Sequence, residues 1–257
     1  MGFSAEDQAI VSAVRSGHLD DVRACFAAER RDANLIIPQL DYYTGTPDPN
    51  RGITLLQFAL EGCRSLWNDL GPLIRYLASQ GADMNKAGPG YITPSLLSIT
   101  MGNFPEEINA LIDCGADVNV CLHDTQGMTM LIYCAAYHYD RTQIARLLVR
   151  RGADVFLCDD GGEDAEDHAR NNGHYAYTGL EDFLADVKRA GSYRKYLKEP
   201  RVELARLRLL CVRGRATPLA DPALARLFDV PNESMRAIPK EVFWHVLAYW
   251  RSSRDDE

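Results

Sequence analysis

Apolar positions recur at helical spacing in three stretches in the middle of the chain, and each stretch runs into the same short polar phrase. The stretches are Leu73–Leu77, Ile108–Ile112 and Ile144–Leu148. Apolar residues three or four positions apart lie on one face of a helix, so each stretch predicts an amphipathic helix with one buried side. The shared phrase, Gly-Ala-Asp, predicts where each helix ends.

This phrase begins at Gly81, Gly115 and Gly152, at intervals of 34 and 37 residues. Glycine readily takes the left-handed conformation at a helix C-terminus, and an Asp side chain accepts a hydrogen bond from the backbone two residues later. The phrase therefore predicts a helix end followed by a tight turn. A second repeated phrase opens with a threonine, which predicts a helix N-cap. It begins at Thr54, Thr93 and Thr129.

Two helices and a turn that return about every 33 residues resemble the ankyrin repeat. The resemblance implies an all-α fold, an ankyrin-repeat α-solenoid of helix pairs and short β-hairpins. Degenerate copies of the pattern flank the regular ones, at Ala9–Leu19 and Asp164–His174. We therefore predict about five repeats within residues 1–190, near 5–35, 50–85, 86–119, 120–156 and 157–190, and a helical C-terminal extension over 191–257.

Asparagine closes the turn in two of the three regular copies, at Asn85 and Asn119, whereas Phe156 takes this place in the third. We predict that both asparagines hold the turn by hydrogen bonds. Their surroundings are also similar to the ankyrin sites that asparaginyl hydroxylases modify, which leaves modification as a second, incidental use of the same residues.

Two connections are longer than the repeat requires. Residues 36–52 carry Pro38, Pro47 and Pro49, and residues 62–72 stretch the inter-helix turn of the second repeat. We expect surface loops in both places. Such loops project from one edge of a stack and are candidate binding elements.

The C-terminal tail predicts a helix over 201–213, a helical turn over 222–228 and a helix over 238–250. These helices would cap the apolar end of a repeat stack if the last of them packed against Leu180, Phe183 and Leu184. Its apolar stripe contains Val242, Phe243, Val246 and Trp250.

The tail also resembles two ligase-recruiting segments. Ile238-Pro239-Lys240-Glu241-Val242, followed by an apolar helix, is similar to the opening of an F-box. Leu207–Cys211 has the leucine-to-cysteine spacing of a SOCS box, although Arg206 and Arg215 depart from that pattern. Either resemblance implies an adaptor in which the tail, through its apolar stripe, recruits a ubiquitin ligase subunit.

Charge is divided unevenly along the chain. The net charge is −8, with 28 Lys+Arg against 36 Asp+Glu. Residues 1–187 hold 13 basic and 27 acidic side chains, whereas residues 188–257 hold 15 and 9. This balance argues against nucleic acid as the main partner, because phosphate binding needs a cationic surface. The acidic repeat region instead favours a protein partner with a basic or mixed surface.

The seven cysteines form no C-x-x-C pair, and their odd number argues against a disulfide framework. We expect buried, reduced thiols in an intracellular protein, cytoplasmic or nuclear. The acidic N-terminus predicts no signal peptide, and no apolar run approaches the roughly 20 residues that cross a bilayer. No membrane association is predicted.

Motifs for catalysis are not found in the sequence, which has no phosphate loop, dinucleotide fingerprint or nucleophile elbow. We interpret Gly88–Tyr91 as a turn. Asp159–Asp164 lacks the ligand spacing of a calcium loop and predicts a hairpin tip. Cys121 and His123 lie too close together, without further ligands, to predict a metal or catalytic pair. We therefore expect no enzyme, cofactor or metal.

The resemblance places partner contacts on the concave surface, at hairpin tips and at the ends of first helices, where packing leaves residue choice free. The candidate positions are Arg15, Glu61, Lys86, Tyr91, Thr100, Met101, His123, Gln126, Tyr137, Asn171 and Asn172. The sequence thus predicts a non-catalytic protein-binding module or scaffold. The alternative is a substrate-recognition adaptor for a ubiquitin ligase.

Overall fold

The computed structural model describes residues 5–28, 32–40, 47–62, 69–89, 104–122, 126–136, 141–171 and 179–212. The chain divides into two compact units, Met1–Leu184 and Ala185–Glu257. In the described ranges, no helix combines the length and the apolar character that crossing a bilayer requires.

The described residues form helices joined by short strands. The helices are α1 (Ala5–Arg15), α2 (Leu19–Ala28), α3 (Leu55–Gly62), α4 (Gly71–Ser79), α5 (Pro105–Asp113), α6 (Met130–Ala136), α7 (Thr142–Arg150), α8 (Ala165–Asn171), α9 (Leu180–Ala190) and α10 (Tyr193–Val212). The strands are β1 (Ile36–Leu40), β2 (Pro47–Thr54), β3 (Cys121–Leu122) and β4 (Met128–Thr129).

In the first unit, the helices pack in two layers. Among the described helices, first helices contact one another in two places, where α1 contacts α3 and where α6 contacts α8. The second helices form the other layer, in which α5 lies between α4 and α7. The three amphipathic stretches supply the buried face of this second layer, as predicted: Leu73, Ile74, Leu77, Ile108, Leu111, Ile144 and Leu148 are almost completely buried.

The glycine turns also form as predicted. Gly81, Gly115 and Gly152 have φ angles of 92°, 98° and 99°, a region that side chains with a Cβ rarely enter. The N–H of the residue after each glycine bonds back into the helix that has just ended, as the Ala116 N–H does to the Leu111 carbonyl at 2.9 Å. This arrangement satisfies carbonyl groups that a helix C-terminus would otherwise leave unbonded.

Residues 36–52 are not the loop that their prolines indicated. β1 and β2 pair antiparallel, with Ile36 opposite Thr54 and Ile37 opposite Ile53, and the register shifts between Pro38 and Leu40. A proline is tolerated in a strand where its missing N–H faces away from the ladder, so a two-stranded hairpin can contain several. Ile37 and Ile53 are buried, and the hairpin therefore contributes to the core of the first unit.

The second unit begins inside α9. Gly191 ends this helix with a φ of 79°, and the Ser192 hydroxyl accepts a hydrogen bond from the Lys195 N–H at the start of α10. The sequence predicted this helix only from residue 201. α10 instead runs without interruption from Tyr193 through Pro200, which removes one backbone hydrogen bond from the helix.

The predicted helices over 222–228 and 238–250 lie outside the described residues, as does the apolar stripe of the tail. Leu180, Phe183 and Leu184, their proposed packing surface, are buried. Leu207, in the segment that resembles a SOCS box, lies on α10 with about half of its surface exposed. Capping by the tail stays a prediction, and so does the division of the chain at residue 190.

Candidate functional site

Asparagine side chains join successive turns in the first unit. Asn85 donates from Nδ2 to the Gly115 carbonyl at 3.0 Å and accepts at Oδ1 from the Asp117 N–H at 2.7 Å. Asn119 accepts in the same way from the Asp154 N–H at 2.8 Å. The predicted structural role of both asparagines is confirmed, although the bonds cross to the next turn instead of closing their own.

Asn34 makes the same two hydrogen bonds one turn earlier in the chain, and the sequence did not predict them. Each such set of bonds between two turns is a rung. Asn34 Nδ2 donates to the Gly81 carbonyl at 2.8 Å, and its Oδ1 accepts from the Asp83 N–H at 2.7 Å. Asp32 accepts from the Asn34 N–H, as Asp83 does from the Asn85 N–H. The signal was present as Asp32-Ala33-Asn34, but the arginines at 30 and 31 replace the Gly-Ala that marks the regular copies. We call the bonds of Asn34, Asn85 and Asn119 the asparagine ladder.

The segments that connect successive helix pairs also contact one another. The Gly52 N–H donates to the Pro89 carbonyl at 3.1 Å, and the Asp160 N–H donates to the Gln126 carbonyl at 2.8 Å. A Cβ added to Gly88 would overlap the Gly52 carbonyl. The close approach of these two backbone segments therefore requires a glycine at position 88.

A buried glutamine connects one of these hairpins to a first helix. Gln57 Oε1 accepts from the Thr54 N–H at 2.8 Å and from the Gly88 N–H at 2.9 Å, while Thr54 Oγ1 accepts from the Gln57 N–H at 3.1 Å. This reciprocal arrangement is a capping box at the start of α3. Thr129 caps α6 through the Ile132 N–H, so both described threonines act as predicted.

Five of the predicted contact residues lie within the described ranges, and all five are exposed: Arg15, Glu61, Lys86, Gln126 and Asn171. The Arg15 guanidinium lies 5.3 Å above the Phe58 ring, across the α1–α3 boundary. Gln126 adopts a φ of 56°. Asn171 donates to Glu163 Oε1 at 3.1 Å. These five residues therefore occupy helix ends and connecting segments that lie far apart along the chain.

The other predicted contact residues lie outside the described ranges. They are Tyr91, Thr100, Met101, His123, Tyr137 and Asn172 on the repeats and Val242, Phe243, Val246 and Trp250 on the tail. Their assignment to a binding surface stays a prediction.

His168 on α8 and Asp159 on the preceding hairpin form a pair that the sequence analysis did not foresee. The two side chains are mostly buried, and His168 Nε2 lies 2.8 Å from Asp159 Oδ2. The hydrogen bond from His168 lowers the pKa of Asp159, and bonds from the Glu163 and Gly161 N–H groups lower it further, against the raising effect of burial. The hairpin fold brings together residues nine positions apart, which no local pattern signals.

Cysteine environments differ more than the sequence indicated. Among the cysteines whose side chains the structure describes, Cys134 is buried, Cys25 and Cys114 are partly buried, and Cys121 and Cys158 are exposed. Burial raises the pKa of Cys134 to about 12. The expectation of buried thiols is therefore wrong for Cys121 and Cys158, which lie at corresponding places on successive hairpins.

Residues 62–159 match a family model described as ankyrin repeats, in three copies. No curated protein matches the chain. The matched range contains all three Gly-Ala-Asp turns, two of the three ladder asparagines and the second-helix layer from α4 to α7. This match, with the helix pairs and left-handed turns described above, shows that residues 62–159 are ankyrin repeats within an all-α repeat fold.

Proposed function

We propose that this chain is a non-catalytic protein-binding module that holds a partner protein against the concave surface of its ankyrin repeats. Ankyrin repeats are generally protein-interaction modules. The observation that carries the proposal is that the side chains which hold the fold together are different from those exposed on hairpins and helix ends. Ladder asparagines, turn glycines and apolar faces maintain the fold, while exposed residues of varied chemistry occupy hairpins and first-helix ends.

The electrostatics support a basic or mixed partner surface. The described turns and hairpin tips expose Asp83, Asp117, Asp154, Asp160 and Glu163. Like charges along one edge attract a complementary surface over roughly the Debye length, about 8–10 Å at physiological salt. Affinity for the partner should therefore fall as the salt concentration rises.

The test begins with proximity labelling by the full chain, followed by affinity measurements with the purified candidate. A double variant, Glu61→Lys with Lys86→Glu, changes two exposed positions on the proposed surface and keeps the net charge. Its matched control, Arg75→Glu with Glu106→Lys, makes the same exchange at exposed positions on the second helices α4 and α5.

We expect the first double variant to weaken binding about tenfold and the control to change it less than twofold, with both melting like the wild type. Equal affinities for the two would place the interface away from this surface. Replacing Met101 and Tyr137 together by alanine extends the test to two further predicted contact residues. Their thioether and aromatic side chains should contribute much contact area with the partner.

The alternative, a ubiquitin ligase adaptor, depends on the tail stripe. Substituting Val246→Asp and Trp250→Ala in the full chain should abolish labelling of ligase subunits and leave the labelling of other partners intact. If the substituted chain labels the same set of proteins as the wild type, the adaptor hypothesis is wrong and the binding-module proposal stands.

A further inference from the structure

Three side chains that commonly bind metals converge on the hairpin before α8. Asp159, Glu163 and His168 each offer one ligand atom, and these atoms all lie within 4.8 Å of one another. Glu163 Oε2 lies 3.8 Å from His168 Nε2, and the same nitrogen also faces Asp159. Within the described ranges, this is the one such group of three.

Both carboxylates of the group are oriented by hydrogen bonds to the oxygen that does not face the imidazole. Asp159 Oδ1 accepts from the N–H groups of Gly161 and Glu163, at 2.8 and 3.0 Å, which leaves Oδ2 facing the imidazole. Asn171 donates to Glu163 Oε1, so the second oxygen of Glu163 is the one nearer His168. The backbone of His168 belongs to α8, where its N–H donates to the Asp164 carbonyl. Outer contacts of this kind fix ligand geometry in metal sites.

The separations suit a small divalent ion after a slight adjustment. Bonds of about 2.0–2.1 Å in a tetrahedral site place neighbouring ligand atoms about 3.4 Å apart. The two distances from His168 Nε2, 2.8 Å to Asp159 and 3.8 Å to Glu163, lie on either side of that value. Glu163 is half exposed, whereas Asp159 and His168 are mostly buried, so the group opens to solvent on one side.

We propose that Asp159, Glu163 and His168 form a binding site for a divalent transition-metal ion, with Zn²⁺ as the test metal. Binding replaces the hydrogen bond between His168 and Asp159: the imidazole binds in its neutral form with its proton on Nδ1, so that Nε2 and the two carboxylates take the metal. Three protein ligands leave a fourth position for water or for a donor atom from another molecule.

The donor set selects among metals. One imidazole nitrogen with two carboxylate oxygens suits Zn²⁺ and its first-row neighbours, whereas Ca²⁺ requires six to eight oxygen ligands. His168 therefore distinguishes this site from an acidic loop, since removing an imidazole would not weaken a site made of oxygen ligands alone.

Calorimetric titration of the full chain with Zn²⁺ tests the proposal. The background carries Cys121→Ser and Cys158→Ser, which remove the two thiols that are exposed among the described side chains and could compete as ligands. We expect one site per chain, and we expect His168→Ala and Glu163→Gln each to lower the affinity by roughly tenfold or more. Two variants serve as matched controls: His18→Ala removes an exposed histidine far away in the sequence, and Asp160→Asn removes an exposed carboxylate next to Asp159. Both should bind Zn²⁺ as the parent does.

Cobalt substitution reports the ligand type, because thiolate ligation produces an intense near-ultraviolet band and oxygen–nitrogen ligation does not. A bound Co²⁺ without that band supports the site. The proposal is overturned if the parent chain binds no Zn²⁺, if His168→Ala and Glu163→Gln bind it like the parent, or if the band appears. Thermal melting of each variant separates lost binding from lost folding, since Glu163→Gln changes a half-exposed side chain and should melt normally.

Discussion

Asn85 bonds to the next turn through both the nitrogen and the oxygen of its side-chain amide. An exposed residue can therefore stabilise the fold. The carboxamide both donates and accepts, so one side chain satisfies a carbonyl and an N–H at a helix end. Phe156, more than half exposed, has neither group to offer. At this position the residue type alone decides whether a rung can form.

Replacing Asn85 by alanine should reduce the free energy of unfolding by about 1–2 kcal/mol, because two hydrogen bonds between turns are lost. Asn85→Asp keeps the acceptor for the Asp117 N–H but loses the donor to the Gly115 carbonyl, so it should be intermediate. Urea unfolding measures both. An alanine variant as stable as the wild type would show that the ladder contributes nothing.

Gly115 tests backbone strain without interference from packing. A Cβ at this position would meet no atom within 4 Å, so only the φ of 98° opposes a larger residue. We expect Gly115→Ala and Gly115→Val each to destabilise the chain by about 1–2 kcal/mol. A large cost for valine with none for alanine would point to a hidden clash, and wild-type stability of both variants in thermal melts would contradict the turn.

At the scale of elements, a helix start depends on one buried polar side chain. Gln57→Ala removes the acceptor for two buried N–H groups, those of Thr54 and Gly88. Since each unsatisfied group costs about 1–3 kcal/mol, we expect a loss of about 2–5 kcal/mol in denaturant unfolding.

Glu61→Ala, on the same helix but exposed, is the matched control and should stay within about 0.5 kcal/mol of the wild type. If the two variants unfold together, the capping box is not what holds the start of α3.

Elements built from local signals were predictable from the sequence, and those built from distant contacts were not. The apolar faces of α4, α5 and α7 and the three glycine turns follow from spacing alone. The β1–β2 hairpin depends on pairing between separate segments, and its prolines argued for a loop. The continuation of α10 through Pro200 likewise contradicts the local preference of a single residue.

The candidate surface divides in the same way. The resemblance identified helix ends and hairpin tips as the free positions, and Arg15, Glu61, Lys86, Gln126 and Asn171 are exposed there. The Asp159–His168 pair escaped notice because its partners meet only when the hairpin folds onto α8. Gln57 could have been found, since Thr-x-x-Gln before an apolar run is a capping-box signature.

At the scale of the whole molecule, the rungs keep one geometry across connections of unequal length. The bonds from Asn34 to Asp83, Asn85 to Asp117 and Asn119 to Asp154 span 49, 32 and 35 residues, yet their N–O distances are 2.7, 2.7 and 2.8 Å. The longest of these spans contains the β1–β2 hairpin, yet the hydrogen bond between Asn34 and Asp83 keeps the same length as the others.

An inserted flexible segment between Leu40 and Pro47 should therefore be tolerated. Doubling the length of a flexible connection costs only about 0.6 kcal/mol. The same segment placed between Gly115 and Asp117 should lower the stability far more, because the Gly115 carbonyl and the Asp117 N–H both bond to the side-chain amide of Asn85. Comparison of the two insertions by thermal melting tests this, and equal losses would mean that connection length and turn geometry are not independent.

If the two insertions behave as predicted, the chain can accept new peptide sequence between rungs. A loop there could lengthen, shorten or be exchanged by recombination while the neighbouring turns stay in place, so its recognition properties could change without a new fold. The asparagine ladder would then hold the turns in a fixed arrangement while the loops between them vary.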